Sequence, residues 1–303
     1  MSPATPSSRA TIAAVCALLL LACTGDPAPR LSGPGHRAEP EPTAAPAALD
    51  ALPAPRDVTF TTSDGVTIAG TIQRATRLDA PAIVLVHQLG STRAEWASLL
   101  ERLHAAPAFT TLAIDLRGHG ASTRGASGNL DWQSFDPAAW AATRLDVLAA
   151  VAFLASPESG VSPSSISAVG ASIGCSAIVA AAAEEPRLQV MVTVSPGRAY
   201  HGFDAITPAM HMDDRAIFAI ASRAETDSAD TAAAYGRVTR IEPMIVDGDA
   251  HGVVIFGTAP EALGRIEDFL RERLAWPRLA PRAADDAPSP PVTSTGTPAP
   301  PPS

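Results

Sequence analysis

The chain has 303 residues and a formal net charge of -9, and no Lys/Arg cluster falls on any single stretch. This argues against nucleic acid as a partner. The 29 prolines are concentrated in two stretches, 23–56 and 277–303, which lack both a hydrophobic period and the large apolar residues that would repay ordering. They read as a Pro/Ala-rich flexible linker and a Pro-rich disordered tail around one domain at 57–276, long enough for a sizeable core.

In chain order, the first feature is a short region containing Arg9, followed by an apolar run from Ile12 to Ala22. The run is too short to span a bilayer comfortably and has the layout of a signal peptide over 1–22. It ends Leu20-Leu21-Ala22-Cys23, which resembles the bacterial lipobox. That resemblance implies lipid on Cys23 as the first mature residue. It further implies export and anchoring to the cell envelope, at the outer membrane more than the inner, since Thr24 rather than Asp follows the cysteine. The linker would then act as a tether. Cys175 is the only cysteine inside the domain, so no disulfide can form within it.

The domain opens with two β-rich runs, Val58 to Thr62 and Val66 to Ile72, flanking Ser63-Asp64-Gly65, a hairpin signal. Ala82 to Val86 is continuously apolar and predicts a strand buried on both faces. A helix is expected over 92–104, with Trp96, Leu99, Leu100 and Leu103 on one face and Ser91 as cap. Thr110 to Asp115 is a strand, followed by a glycine-rich loop from Arg117 to Gly128. Pro137 to Ala155 predicts one long helix. Further strands are expected at Ile166 to Gly170, Leu188 to Val194, Ala216 to Ala221 and Pro243 to Val246. Helices are expected after Ser172, over about 228–236, and from Glu261 to Leu274. Alternating apolar strands and helices call for an α/β fold, a mostly parallel sheet covered by helices on both faces, with ligands at the carboxyl ends of the strands.

Gly170-Ala171-Ser172-Ile173-Gly174 lies between a strand and a helix. A serine at such a turn is pushed out of the sheet, and small residues on either side relieve the crowding. Ser172 is therefore the candidate nucleophile. Its hydroxyl needs a base. Of seven histidines, His251 lies late in the chain, in the loop after the last strand, where the order nucleophile, acid, base places it. For the carboxylate that orients this base, Asp227 is the choice; Glu225 and Asp230 share its loop, and Asp247 and Asp249 precede His251. An oxyanion hole needs two donors. These are expected from the backbone N–H of Ile173 and, in the loop 87–90, from that of Leu89, with His87 ordering the loop. His119, His201 and His211 could line the pocket, and Tyr200, Phe203, Met210 and Met212 could supply apolar walls.

VLVHQLGS at 84–91, DLRGHGAS at 115–122, GASIG at 170–174, the acid loop ending in Asp227 and DGDAHG at 247–252 occur in the order found in the α/β-hydrolase superfamily. The chain resembles its dienelactone-hydrolase-like and small esterase-like members. The resemblance implies an eight-stranded, mostly parallel sheet and a Ser-His-Asp triad that hydrolyses a small-molecule acyl substrate, a mechanism that requires no metal or organic cofactor. The segment between Ser195 and Arg215 is short, so little or no cap domain is expected. Two departures stand out. Gln88 replaces the glycine many members carry after the histidine. Ser172 stands where dienelactone hydrolases use cysteine, and Cys175 is too far along to replace it. A serine carboxylesterase is the expected activity. The alternatives are a small peptidase or amidase using the same triad, and an inactive surface-tethered binding protein.

Overall fold

A computed structural model describes residues 52–105, 108–212 and 214–275. The expected signal peptide, Cys23, the linker up to residue 51 and the tail from 276 lie outside the described residues. The strands are β1 (Arg56–Thr61), β2 (Thr67–Gln73), β3 (Ala82–Val86), β4 (Thr110–Ile114), β5 (Arg124–Gly125), β6 (Gly128–Asn129), β7 (Ile166–Ala171), β8 (Leu188–Val194), β9 (Ala199–Tyr200), β10 (Phe203–Asp204), β11 (Ala216–Ser222) and β12 (Met244–Val246). The helices are α1 (Ala97–His104), α2 (Pro137–Ala141), α3 (Arg144–Leu154), α4 (Ile173–Glu184), α5 (Ile206–Ala209), α6 (Thr226–Thr239), α7 (Ile255–Thr258) and α8 (Glu261–Ala275).

Among the described residues, ten strands form one sheet in the order β12-β11-β8-β7-β3-β4-β2-β5-β6, with β1 paired to β2. The six strands from β12 to β4 run parallel, and the β1, β2, β5 and β6 pairings are antiparallel. Without the two-residue strands β5 and β6, eight remain. The continuous apolar runs arise because both faces are covered. On β3, Val84 and Val86 pack into a core with Val147 and Val151 of α3 and Ile178 of α4. Its alternate residues Ile83 and Leu85 pack with Leu99 and Leu103 of α1 and Ile266 and Leu270 of α8. Successive side chains point to opposite faces, so a doubly covered strand is mostly apolar along its whole length.

Several local expectations are corrected. Residues 93–96 form a 3-10 turn before α1, and Thr92 rather than Ser91 accepts the capping N–H, from Ala94. The long helix expected from Pro137 is two helices, α2 and α3. Between them the Thr143 hydroxyl donates to the Trp140 carbonyl at 2.7 Å, a local side-chain bond of the kind that competes with regular helix. The glycine-rich loop contains the small β5–β6 hairpin. Among the described residues between β8 and β11, the regular elements are the β9–β10 hairpin and the single turn α5.

Candidate active site

Ser172 joins β7 directly to α4 with φ 51° and ψ -118°, a left-handed backbone that a non-glycine residue adopts only under constraint. The constraint is visible. The Ser172 N–H donates to Val194 O at 2.9 Å, and its carbonyl accepts the Cys175 N–H at 2.9 Å. The flanking glycines are sterically required. A Cβ on Gly170 would lie 2.6 Å from the Gly174 carbonyl, and one on Gly174 would lie 2.4 Å from Val86 O. The glycine spacing read from sequence is thus the spacing at which helix α4 can approach strands β7 and β3.

His251 follows β12 and is brought to Ser172 across the strand ends. Its Nε2 lies 2.7 Å from Ser172 Oγ. Its Nδ1 lies 2.6 Å from Oε1 of Glu225. A carboxylate can only accept, so Nδ1 carries the proton and Nε2 presents its lone pair to the serine hydroxyl. The three side chains form one line of hydrogen bonds.

The carboxylate that meets His251 is Glu225 and not the expected Asp227. Asp227 lies exposed in the first turn of α6, and its Oδ2 accepts the Arg198 N–H at 3.1 Å, tethering the segment that leads into β9. Glu225 is the residue before α6. It makes no capping bond and turns its side chain to His251 instead. The loop leaves β11 at Ser222, so residue 225 is still beside the strand end while residue 227 is already helical. The longer glutamate side chain covers the remaining distance. Counting from the strand end could have separated the two candidates.

Ser195, at the end of β8, is a further member of the site with no assigned role in the sequence. It is fully buried with φ 52°, its hydroxyl donates to Glu225 Oε2 at 3.0 Å, and it accepts the Gly252 N–H at 2.9 Å. Both oxygens of Glu225 are thereby held. Tyr200 completes this side. Its hydroxyl donates to Ser195 O at 3.2 Å, its ring packs edge-on to His251 at 6.2 Å, and burial pushes its phenol up to about 12. A Cβ on Gly197 would sit 2.3 Å from that ring, so glycine is needed there.

The two expected oxyanion donors sit on adjoining strand ends. Ile173 is the first residue of α4, where N–H groups have no partner in the helix. Leu89 lies in the turn after β3. Its neighbours are both committed: the Gln88 N–H donates to Glu95 Oε1 at 2.9 Å and the Gly90 N–H donates to His119 Nε2 at 3.3 Å. Among the described residues, neither the Leu89 nor the Ile173 N–H has an acceptor. His87 orders this turn from beneath. Its Nε2 accepts the Leu116 N–H at 2.9 Å and its Nδ1 donates to Gln88 O at 2.7 Å. Burial lowers its pKa to about 4. His119 stacks on Trp132, and Trp140 stacks on His201, while His211 is exposed beyond α5, its ring bonding Thr207 O and its backbone N–H donating to Pro208 O. Cys175 is buried at the start of α4, and burial pushes its thiol pKa up, so it stays a neutral thiol.

A sequence model of the alpha/beta hydrolase family matches residues 83–302. The chain belongs to the alpha/beta hydrolase family. Solved structures agree on the fold of this hydrolase. An esterase of Pyrococcus furiosus is 18% identical with a TM-score of 0.58, covering 72% of this chain and 92% of its own. The alpha/beta hydrolase GrgF of Penicillium sp. sh18 is 16% identical with a TM-score of 0.60, covering 74% and 100%. A putative alpha/beta hydrolase of Agrobacterium tumefaciens is 21% identical with a TM-score of 0.55, covering 73% and 97%. No curated protein matches the chain in sequence. Among the described residues of the hydrolase, no group of three or more His, Cys, Asp or Glu side chains could hold a metal ion.

Proposed function

We propose that this hydrolase is a serine esterase that cleaves a carboxylic ester through an acyl-enzyme on Ser172. The supporting observation is the unbroken line from Ser172 Oγ to His251 Nε2 at 2.7 Å and from His251 Nδ1 to Glu225 at 2.6 Å. His251 takes the hydroxyl proton as Oγ attacks the ester carbonyl. The carbonyl oxygen becomes an oxyanion between the N–H groups of Leu89 and Ile173. Collapse breaks the C–O bond to the alcohol, which leaves with the proton from His251. Water then attacks the acyl-enzyme with His251 again as base, releasing the acid and restoring Ser172. Glu225 holds the imidazole tautomer and stabilises the imidazolium without itself taking the proton.

The short β9–β10 and α5 segment over the strand ends favours an accessible site and a modest acyl group. The test is hydrolysis of a p-nitrophenyl ester series of increasing chain length, beside aminoacyl anilides. Turnover of esters that is lost in Ser172→Ala supports the esterase. Turnover of anilides alone would make the enzyme an amidase, and no turnover of either would leave only the inactive binding protein.

The lipobox-like end of the signal supports lipid on Cys23 and a place at the cell envelope, the outer membrane above the inner. Full-length protein expressed in a Gram-negative host should partition into detergent and Cys23→Ala should not; equal partitioning would exclude the anchor.

A further inference from the structure

Gln88 stands one residue before the expected donor Leu89, and its backbone N–H, its carbonyl and its side-chain Oε1 are all engaged. Its N–H donates to Glu95 Oε1 at 2.9 Å. Its carbonyl accepts from His87 Nδ1 at 2.7 Å and from the Ser91 N–H at 3.2 Å. Its side-chain Oε1 accepts the Val253 N–H at 3.2 Å, across to the loop that carries His251. Gly252 admits that side chain. A Cβ there would fall on Gln88 Oε1, and its φ of 58° is left-handed, so glycine is required twice over. The Gly252 N–H donates to Ser195 Oγ, which in turn donates to Glu225. Glu95 sits behind the turn, half-buried, with burial pushing its carboxyl above the usual range against hydrogen bonds from Ser91 and the Gln88 N–H.

We infer that Gln88 and Glu95 are positioning residues that fix the Leu89 N–H as an oxyanion donor and tie its loop to the loop of His251. The inference rests on the esterase reading of the site. Glu95 holds the Gln88 N–H and His119 takes the Gly90 N–H, which leaves the Leu89 N–H between them with no acceptor among the described residues. The Gln88 amide then sets the distance between this donor and the base, two parts that arrive on strands β3 and β12, four places apart in the sheet. A glycine at 88 could make the backbone bonds but could not reach Val253.

The test uses Gln88→Met and Glu95→Leu, which keep bulk but remove the acceptors, and Glu95→Gln, which keeps an oxygen for the Gln88 N–H. Kinetics on a p-nitrophenyl ester should show kcat lower by about 10–10²-fold in the first two, with KM within about threefold, because the donor acts on the transition state. Glu95→Gln should stay within about threefold of wild type. The double variant Gln88→Met/Glu95→Leu should lose less than the product of the singles, since both act on one donor. Wild-type kcat in Gln88→Met, or equal losses in Glu95→Gln and Glu95→Leu, would overturn the inference while leaving the esterase standing. Amide hydrogen exchange tests the same strap without turnover. The Gln88 and Val253 N–H groups should be protected in wild type, with Gln88 released by Glu95→Leu and Val253 by Gln88→Met. Unchanged exchange would overturn the strap, whereas an inert wild type with these shifts present would overturn only the esterase reading.

Discussion

Replacing Glu225 by Gln and Asp227 by Asn separates two carboxylates two residues apart. In Glu225→Gln the shape of the site is kept and the charge opposite His251 is lost. The Glu225 oxygen lies 2.6 Å from Nδ1, which puts the centres of charge about 4 Å apart. At an effective dielectric of about 20 the attraction for the imidazolium is about 4 kcal/mol. That energy is released only when His251 takes the serine proton, so it acts on the transition state and is worth about 10³-fold in kcat. An amide can also present its NH₂ to Nδ1 and select the wrong tautomer, which moves the loss toward about 10⁴-fold. Asp227→Asn loses part of one exposed bond to the Arg198 N–H and should change kcat/KM by no more than about fivefold, on the order of 1 kcal/mol. The assay is steady-state hydrolysis of a p-nitrophenyl ester by both variants, with thermal melts to show that each is folded. A loss in Asp227→Asn equal to or greater than that in Glu225→Gln would refute the assignment.

Ser195→Ala leaves Glu225 Oε2 and the buried Gly252 N–H without their shared partner; it should cost about 1–3 kcal/mol in stability and about 10-fold or more in kcat, read by melts and kinetics together. Gly174→Ala places a Cβ against Val86 O, and should cost about 1–3 kcal/mol and shift the elbow enough to lower turnover about 10²-fold. Stability should depend on pH through His87. Its folded pKa of about 4 lies below the ordinary 6.5, so the unfolded chain binds a proton that the folded chain refuses. The stabilisation is complete above pH 6.5 and is lost as pH falls toward 4, by about 3 kcal/mol. Asp146, pushed up to about 6, and His104 and His119, lowered by burial, titrate in the same range, so the His87 contribution is read as the difference between wild type and His87→Gln in chemical denaturation across that window.

The fold was legible because the central parallel strands are covered on both faces, and that burial writes itself into sequence as an uninterrupted apolar run such as Ala82–Val86. Ser172 was legible because the steric demand of the elbow falls on glycines at fixed spacing, and His251 because its loop follows the last strand. Glu225 and Asp227 are hard to separate in sequence because the choice depends on where β11 ends and α6 begins, boundaries that sequence places only to within a residue or two. The break between α2 and α3 was invisible because every residue from 137 to 154 tolerates helix, and its mark is one local bond from the Thr143 hydroxyl to the Trp140 carbonyl. Ser195 was hidden because its role comes from long-range contacts with residues 225 and 252. Gln88 was visible only as a departure from a pattern, and its partner Val253 lies 165 residues away.

The most direct measurement of the central claim is labelling of the folded protein with a fluorophosphonate, followed by peptide mass spectrometry. One equivalent of probe should be found on Ser172, with labelling abolished in Ser172→Ala and strongly slowed in His251→Ala and Glu225→Gln. An adduct on a different residue, or no adduct on folded wild-type protein, would contradict it.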